Sequence, residues 1–356
     1  MKIAPIMKAM ERYPEIDLSL IHTGQHYDKN LSDVFFHELG IRKPDVALGV
    51  GSGSHAKQTA DVMVAIESLL VEAQQNGQAF TAVIVVGDVN STMAAALAAS
   101  KLHIPVVHVE AGLRSRDRSM PEEINRLVTD SISDLLLCSE PAGVENLLAE
   151  GHPQQNVHLV GNVMIDTLLS EVARAKEQKT LEEFGLEPKN YGVVTLHRPG
   201  NVDQRDTLEA ILQVLSRVST QLPIIFPVHP RTQSRINEFG LQDILGNSTG
   251  CRMVEPLGYL DCLCLTSQAK VVVTDSGGLQ EETTALGVPC LTLRPNTERP
   301  ITCIEGTGTL IGSSADLLEN KLEEVLSGKY KIGGCPMLWD GRAAERIVSL
   351  ISKVFR

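Results

Sequence analysis

The chain predicts an α/β fold built from two doubly wound, Rossmann-like domains. Three observations lead there. Short apolar runs alternate with segments of helical spacing from end to end. The runs are near-continuous in Val, Ile and Leu rather than alternating, as strands covered on both faces read. At 356 residues the chain also exceeds the usual size of one hydrophobic core.

Taken in order, "MKIAPIMKAMERYPEIDLSL" opens with a helical pattern and only then gives a strand. A doubly wound domain normally opens with a strand, a glycine turn and a helix, so the first strand of the N-terminal domain reads as missing. "DLSLIHT", "TAVIVVGD", "IPVVHVE", "SDLLLCSE" and "VHLVGN" follow as strands, with helical segments such as "NSTMAAALAASKLH" between them. Residues 161–190 read as the joint between domains. Beyond it "YGVVTLH", "LPIIFPVH", "CRMVEP", "AKVVVTD" and "PCLTLR" repeat the pattern, giving two sets of about five strands. In such sheets ligands bind beyond the carboxyl ends of the strands, so the residues just after each strand are the candidates.

Composition narrows the partners. Lys and Arg total 32 against 44 Asp and Glu, a formal charge of −12 without a long basic run, which argues against nucleic acid. No apolar run is long enough for a membrane span and no secretory h-region is visible, so a cytoplasmic protein is expected. The seven cysteines are scattered without C-x-x-C pairs and read as reduced thiols; neither a metal site nor a cofactor is implied.

Carboxylates follow three strands or their loops: Asp88 after "VIVVG", Glu110 after "VVHV", and Glu122 and Glu123 in "SMPEEINR". Acids converging from strand ends suit proton removal and delivery, although each alone also suits a helix cap or a loop amide. His197 and His229 end two strands of the second half, each close to an arginine, a pairing that suits a diphosphate. Ser276, Gly277 and Gly278 sit between an apolar strand and a helix start, where backbone amides and the helix dipole favour phosphate. Glu282, about one turn further on, is placed to accept the hydroxyls of a ribose; otherwise it is a negative charge in a first helical turn.

The ordered segments "TGQH", "VVGDVNST", "VVHVEAGLRS", "MPEEINR", "TLHRPGNVD", "FPVHPRT", "TDSGGLQEE" and "NTERP" resemble the non-hydrolysing UDP-N-acetylglucosamine 2-epimerases, over about residues 23–300. The resemblance implies a glycosyltransferase-B type fold: an N-terminal domain, 1–165, rejoined by a last helix, 341–356, and a UDP-binding domain, 166–340, with the active site in the interdomain cleft. It implies elimination of UDP, a 2-acetamidoglucal intermediate and re-addition, without metal or redox cofactor, by a homodimer. Carried over, Asp88, Glu110 and Glu122 match the acidic residues for proton transfer, and His197 the histidine near the diphosphate. Ser276, Gly277 and Gly278 match the phosphate turn and Glu282 the ribose carboxylate; Lys2, Arg126, His229 and Arg299 match further substrate-binding positions.

Departures are expected to matter. Relatives begin with a strand and a "GTRPEAIKxAP" segment of which only the end, with Lys2, is matched, so weak activity is expected of the chain as written. Asp28 and Lys57 differ from residues of a second, regulatory substrate site in many bacterial members. Cys262 stands where an aromatic residue is common near uracil, and Ile301 where Glu is common. A hydrolysing epimerase, an epimerase of a related UDP-2-acetamido sugar, a glycosyltransferase and a non-catalytic nucleotide-sugar-binding fragment are the alternatives.

Overall fold

The computed structural model describes residues 1–24, 40–246 and 250–355; Asp28 and the Gln25–His26 part of "TGQH" lie outside them. The chain divides into two compact units, Met1–Thr167 with Met337–Arg356, and Leu168–Pro336. Both are α/β with parallel sheets. Among the described residues no helix is long and apolar enough to cross a membrane.

The first unit opens on helix α1 (Ile3–Met10). Strands β1 (Ile21–His22) and β2 (Val46–Ala47) pair only with each other. Strands β3 (Val83–Val86), β4 (Val106–Val109), β5 (Leu135–Cys138) and β6 (Val157–Leu159) form a four-stranded parallel sheet in that order. Helices α2 (His55–Gln75), α3 (Asn90–Lys101), α4 (Pro121–Ser131) and α5 (Pro141–Ala149) provide the crossovers. Ser54 caps α2 by accepting the Lys57 amide at 3.3 Å. The alanines of α3 let it approach α2 and β3 closely, so that Ala94, Ala96 and Ala99 are fully buried beside Val62 and Val85.

Ile21 and Leu48 pack on this same core although their strands share no ladder with β3. On the other face, α1 and the last helix, Ala343–Val354, close over β4 and β5: Ile6 and Met10 meet Ile347, Val348, Val107 and Leu137. Asp166 accepts the first amides of Ala343–Val354, from Ala343 at 3.1 Å and Ala344 at 2.7 Å, and so caps it from a distant part of the chain.

The second unit holds one six-stranded parallel sheet of β7 (Gly192–Thr195), β8 (Ile224–Pro227), β9 (Cys251–Val254), β10 (Val271–Thr274), β11 (Cys290–Thr292) and β12 (Gly308–Leu310). Its order is β12-β11-β10-β7-β8-β9. The direction of winding reverses between β7 and β10, the topological switch point at which open α/β sheets leave a crevice. One face packs on an amphipathic helix, Arg205–Val218, through Leu208, Ile211 and Leu215; the other carries Tyr191, Val193 and Leu265.

The strand readings need two additions. Val46–Ala47 and Gly308–Leu310 join the strands read from the sequence, so that among the described residues each half has six rather than about five. Both missed segments are only two or three residues long, too short for any period to show.

Candidate functional site

In the first unit β3 and β4 are neighbours, so their carboxyl ends place Asp88 and Glu110 on one edge. Glu110 has φ 72°, a left-handed conformation rare for a residue with a side chain, worth on the order of 1–3 kcal/mol of strain. Strain of this kind persists where the surroundings over-determine it, and here the Glu110 and Ala111 amides donate to Leu137 O at 2.9 and 3.1 Å. Its buried carboxylate pairs with Lys2, so Lys2 meets a candidate acid rather than standing alone. Gly87, at φ 74°, makes this possible: a Cβ there would lie 3.0 Å from Lys2 Nζ.

Asp88 is about a quarter exposed and pairs with Arg126 Nη1 at 2.5 Å. Arg126 is buried on α4 and also binds Glu123 through Nη2 at 3.0 Å. Asn125 donates to the Asp88 carbonyl at 2.9 Å, which ties α4 to the end of β3. The two glutamates of "PEEINR" divide. Glu123 is buried and takes the Ser115 amide at 2.8 Å, the Ser115 hydroxyl at 2.9 Å and the Arg116 amide at 3.0 Å. Burial opposes its charge, yet these bonds and Arg126 hold its carboxyl below the usual range. Glu122 is half-buried in the first turn of α4 and makes no hydrogen bond among the described residues, so its carboxylate is the available one.

In the second unit the switch point sets His197, just past β7, beside Asp275, just past β10. Asp275 closes the apolar segment "AKVVVTD" and is not among the candidate residues named from the sequence. It is fully buried and accepts the His197 amide at 3.0 Å, the Arg198 amide at 2.8 Å, Asn201 Nδ2 at 3.1 Å and His197 Nδ1 at 2.8 Å. Burial works against its charge, but His197 and these amides keep it ionised, below the ordinary aspartate value. A carboxylate at Nδ1 requires the proton there, which leaves Nε2 to accept from a ligand when neutral and to donate when charged. The His197 side chain is 41% exposed, and the His229 ring lies 5.6 Å away, centroid to centroid. His229 caps the helix Pro230–Phe239 by accepting the Arg231 amide at 3.1 Å, and burial and His197 lower its pKa.

Ser276 is the N-cap of the helix Gly277–Leu286, whose first amides are turned toward the same sheet edge. Neither glycine has positive φ, so the need for glycine is one of space. A Cβ on Gly277 would meet Glu298 Oε1 at 3.1 Å, while one on Gly278 would meet nothing within 4 Å, leaving room above the turn. Beneath Gly277, Glu298 lies between Arg294, at 2.8 Å, and Arg299, at 2.7 Å. Despite burial, these arginines bring its carboxyl down to about 2. Arg299 Nε also holds Glu281 at 2.6 Å, so Arg299 and Glu281 form a buried ion-pair network under the turn.

Glu282, its neighbour, makes no hydrogen bond among the described residues, and burial, then Glu281, pushes it up to about 8. The folded chain therefore keeps a proton here that the unfolded chain loses near the ordinary glutamate value of about 4.3, and stability falls as pH rises between that value and about 8. Glu282→Gln is expected to flatten this fall, making the variant more stable than wild type at pH 8.5 and little changed at pH 5. Urea unfolding at the two pH values checks it; equal differences at both would contradict the assigned protonation.

A family model described as UDP-N-acetylglucosamine 2-epimerase matches residues 8–352. The UDP-N-acetylglucosamine 2-epimerase of Methanocaldococcus jannaschii is 40% identical, over 99% of this chain and 95% of that protein. The UDP-2,3-diacetamido-2,3-dideoxy-D-glucuronate 2-epimerase of Pseudomonas aeruginosa is 35% identical, over 99% and 96%. Among solved structures, the M. jannaschii enzyme in complex with UDP-GlcNAc and UDP superposes with a TM-score of 0.87, covering 99% of this chain and 96% of that one. The Neisseria meningitidis UDP-GlcNAc 2-epimerase bound to UDP-GlcNAc also gives 0.87, at 27% identity and the same coverage.

Proposed function

Since the chain belongs to the UDP-N-acetylglucosamine 2-epimerase family and is an isomerase of nucleotide sugars, we propose that it interconverts UDP-N-acetylglucosamine and UDP-N-acetylmannosamine without hydrolysis. The observation that carries this reading is the pair Asp88 and Glu110, set on adjacent strand ends and each held by a cation, Arg126 and Lys2. Inversion at C2 needs a proton removed from one face and returned to the other, a task for two acids with separate surroundings.

In this reading a carboxylate of the first unit takes the C2 proton while the C1–oxygen bond to UDP breaks, and the freed electron pair becomes the C1=C2 bond of a 2-acetamidoglucal. The departing diphosphate takes up negative charge. His197, oriented by Asp275, and the Ser276–Gly277–Gly278 amides offset it, and Glu282 accepts from the ribose. Protonation of C2 on the opposite face and attack of UDP oxygen on C1 complete the isomerisation, so no atom or electron is gained or lost. Glu122, which makes no hydrogen bond among the described residues, is the third acid, steadying the sugar. Lys2 and Arg126 act on the substrate through the carboxylates they hold, and His229 and Arg299 support the diphosphate side.

Incubation of UDP-N-acetylglucosamine with the protein in deuterated water, followed by proton NMR, tests the reading. Deuterium at C2 and appearance of the UDP-linked manno epimer are expected. Release of free N-acetylmannosamine would instead establish hydrolysis, and an unlabelled substrate would overturn the reading. The Pseudomonas relative gives reason to run UDP-2,3-diacetamido-2,3-dideoxy-D-glucuronate in parallel, because a related UDP-2-acetamido sugar is the second reading.

A further inference from the structure

His108 is a polar residue in the middle of an apolar strand, and it is completely buried. Its Nδ1 lies 2.6 Å from Asp130 Oδ1 and its Nε2 lies 2.9 Å from the Gly87 carbonyl. Carboxylate and carbonyl are both acceptors, so a ring that satisfies both donates through both nitrogens and carries a positive charge. The second oxygen of Asp130 accepts the Gly112 amide at 3.1 Å and Arg114 Nη1 at 2.7 Å, and Arg114 in turn grips Glu150 at 2.6 and 2.9 Å.

What these bonds connect is specific. Gly87 precedes Asp88, and Gly112 lies two residues beyond Glu110. Gly87, Glu110 and Gly112 all have left-handed backbones, at φ 74°, 72° and 79°. Gly112 has no latitude, since a Cβ there would stand 2.3 Å from the Gly143 carbonyl. A single buried imidazolium therefore spans the two turns that present the candidate acids. Stability alone does not account for it: replacing buried charges by apolar groups of similar volume is often neutral or stabilising.

We propose that His108 is a positioning residue for proton transfer, a doubly donating ring that fixes the Gly87–Asp88 turn and the Glu110 turn relative to each other. The inference rests on the epimerase reading above. The charged groups acting on the ring are Asp130 from α4 and Glu110 just past β4, with Arg114, from the segment after β4, paired to Asp130 and the Cys138 thiol of β5 near it. Burial alone would discharge the ring, but Asp130, the Gly87 carbonyl and Glu110 together raise its pKa.

Two measurements test this on the full chain. Nitrogen-15 NMR of histidine-labelled protein is expected to show both His108 nitrogens protonated at pH 7.5; a neutral tautomer would overturn the proposal. His108→Met, of similar volume and apolar, and His108→Gln, which keeps one donor, are then compared with wild type in kcat, KM, UDP affinity and urea midpoint. A displacement of about 1 Å at reacting groups costs roughly 100-fold. The expected result is a loss of that size in kcat for His108→Met, partial recovery in His108→Gln, and KM and UDP affinity within about twofold. A folded His108→Met with wild-type kcat overturns the role alone. Wild-type protein without C2 exchange overturns the epimerase reading, and this role with it.

Discussion

Glu110→Gln is expected to lower the epimerisation rate by about 1,000-fold, within the range for losing a positioned acid or base. The substitution keeps the shape of the side chain and removes its charge and proton. Lys2 then loses its partner, and the left-handed backbone at φ 72° presents a group that cannot take a proton from carbon. UDP affinity, which we assign to residues of the second unit, should stay within a few-fold of wild type. Parallel measurement of C2 deuteration and net epimer formation, with UDP titrated by calorimetry, separates the effects. A variant retaining more than a tenth of wild-type exchange would remove Glu110 from the chemistry.

Asp275→Asn should act on both rate and stability. Asp275 gathers two main-chain amides, Asn201 and the His197 ring at one fully buried carboxylate. An amide in its place presents two donors toward groups that donate themselves, so at least one bond becomes a repulsion and the Nδ1–H of His197 loses its anchor. Breaking such a network costs on the order of 3–5 kcal/mol, which a urea midpoint would register. In the fraction that folds, kcat should fall by about 100-fold or more with weaker UDP binding, because His197 is no longer held toward the diphosphate. Full activity with a lowered midpoint would make Asp275 a structural residue only.

Much of this arrangement could be read in the sequence because strand ends announce themselves. "VIVVGD" and "VVHVE" end in acids where the apolar run stops, and the fold places those acids on neighbouring strands. Asp275 was in equal view, yet its importance depends on β7 and β10 being adjacent across 75 or more residues of chain, which no local pattern records. His108 posed the same difficulty: a histidine inside an apolar run signals a buried polar group, but only packing reveals that Asp130 and the Gly87 carbonyl are waiting for it. The glutamates of "PEEINR" are indistinguishable by type, and helical phase alone sends Glu123 inward and leaves Glu122 available. Arg299 enters through the resemblance as a substrate-binding position, and its ion pair with Glu281 beneath the turn is visible only once the chain is folded.

The return of Ala343–Val354 to the first unit has a consequence for biosynthesis. Ile6, Val107 and Leu137 find part of their cover in Ile347 and Val348, which leave the ribosome only after the whole second unit has been made. At about 5–20 residues per second, that delay is on the order of 10–30 s. Throughout it the nascent first unit exposes a greasy flank that chaperones would be expected to shield, whereas the second unit draws every strand of its sheet from one unbroken stretch of chain.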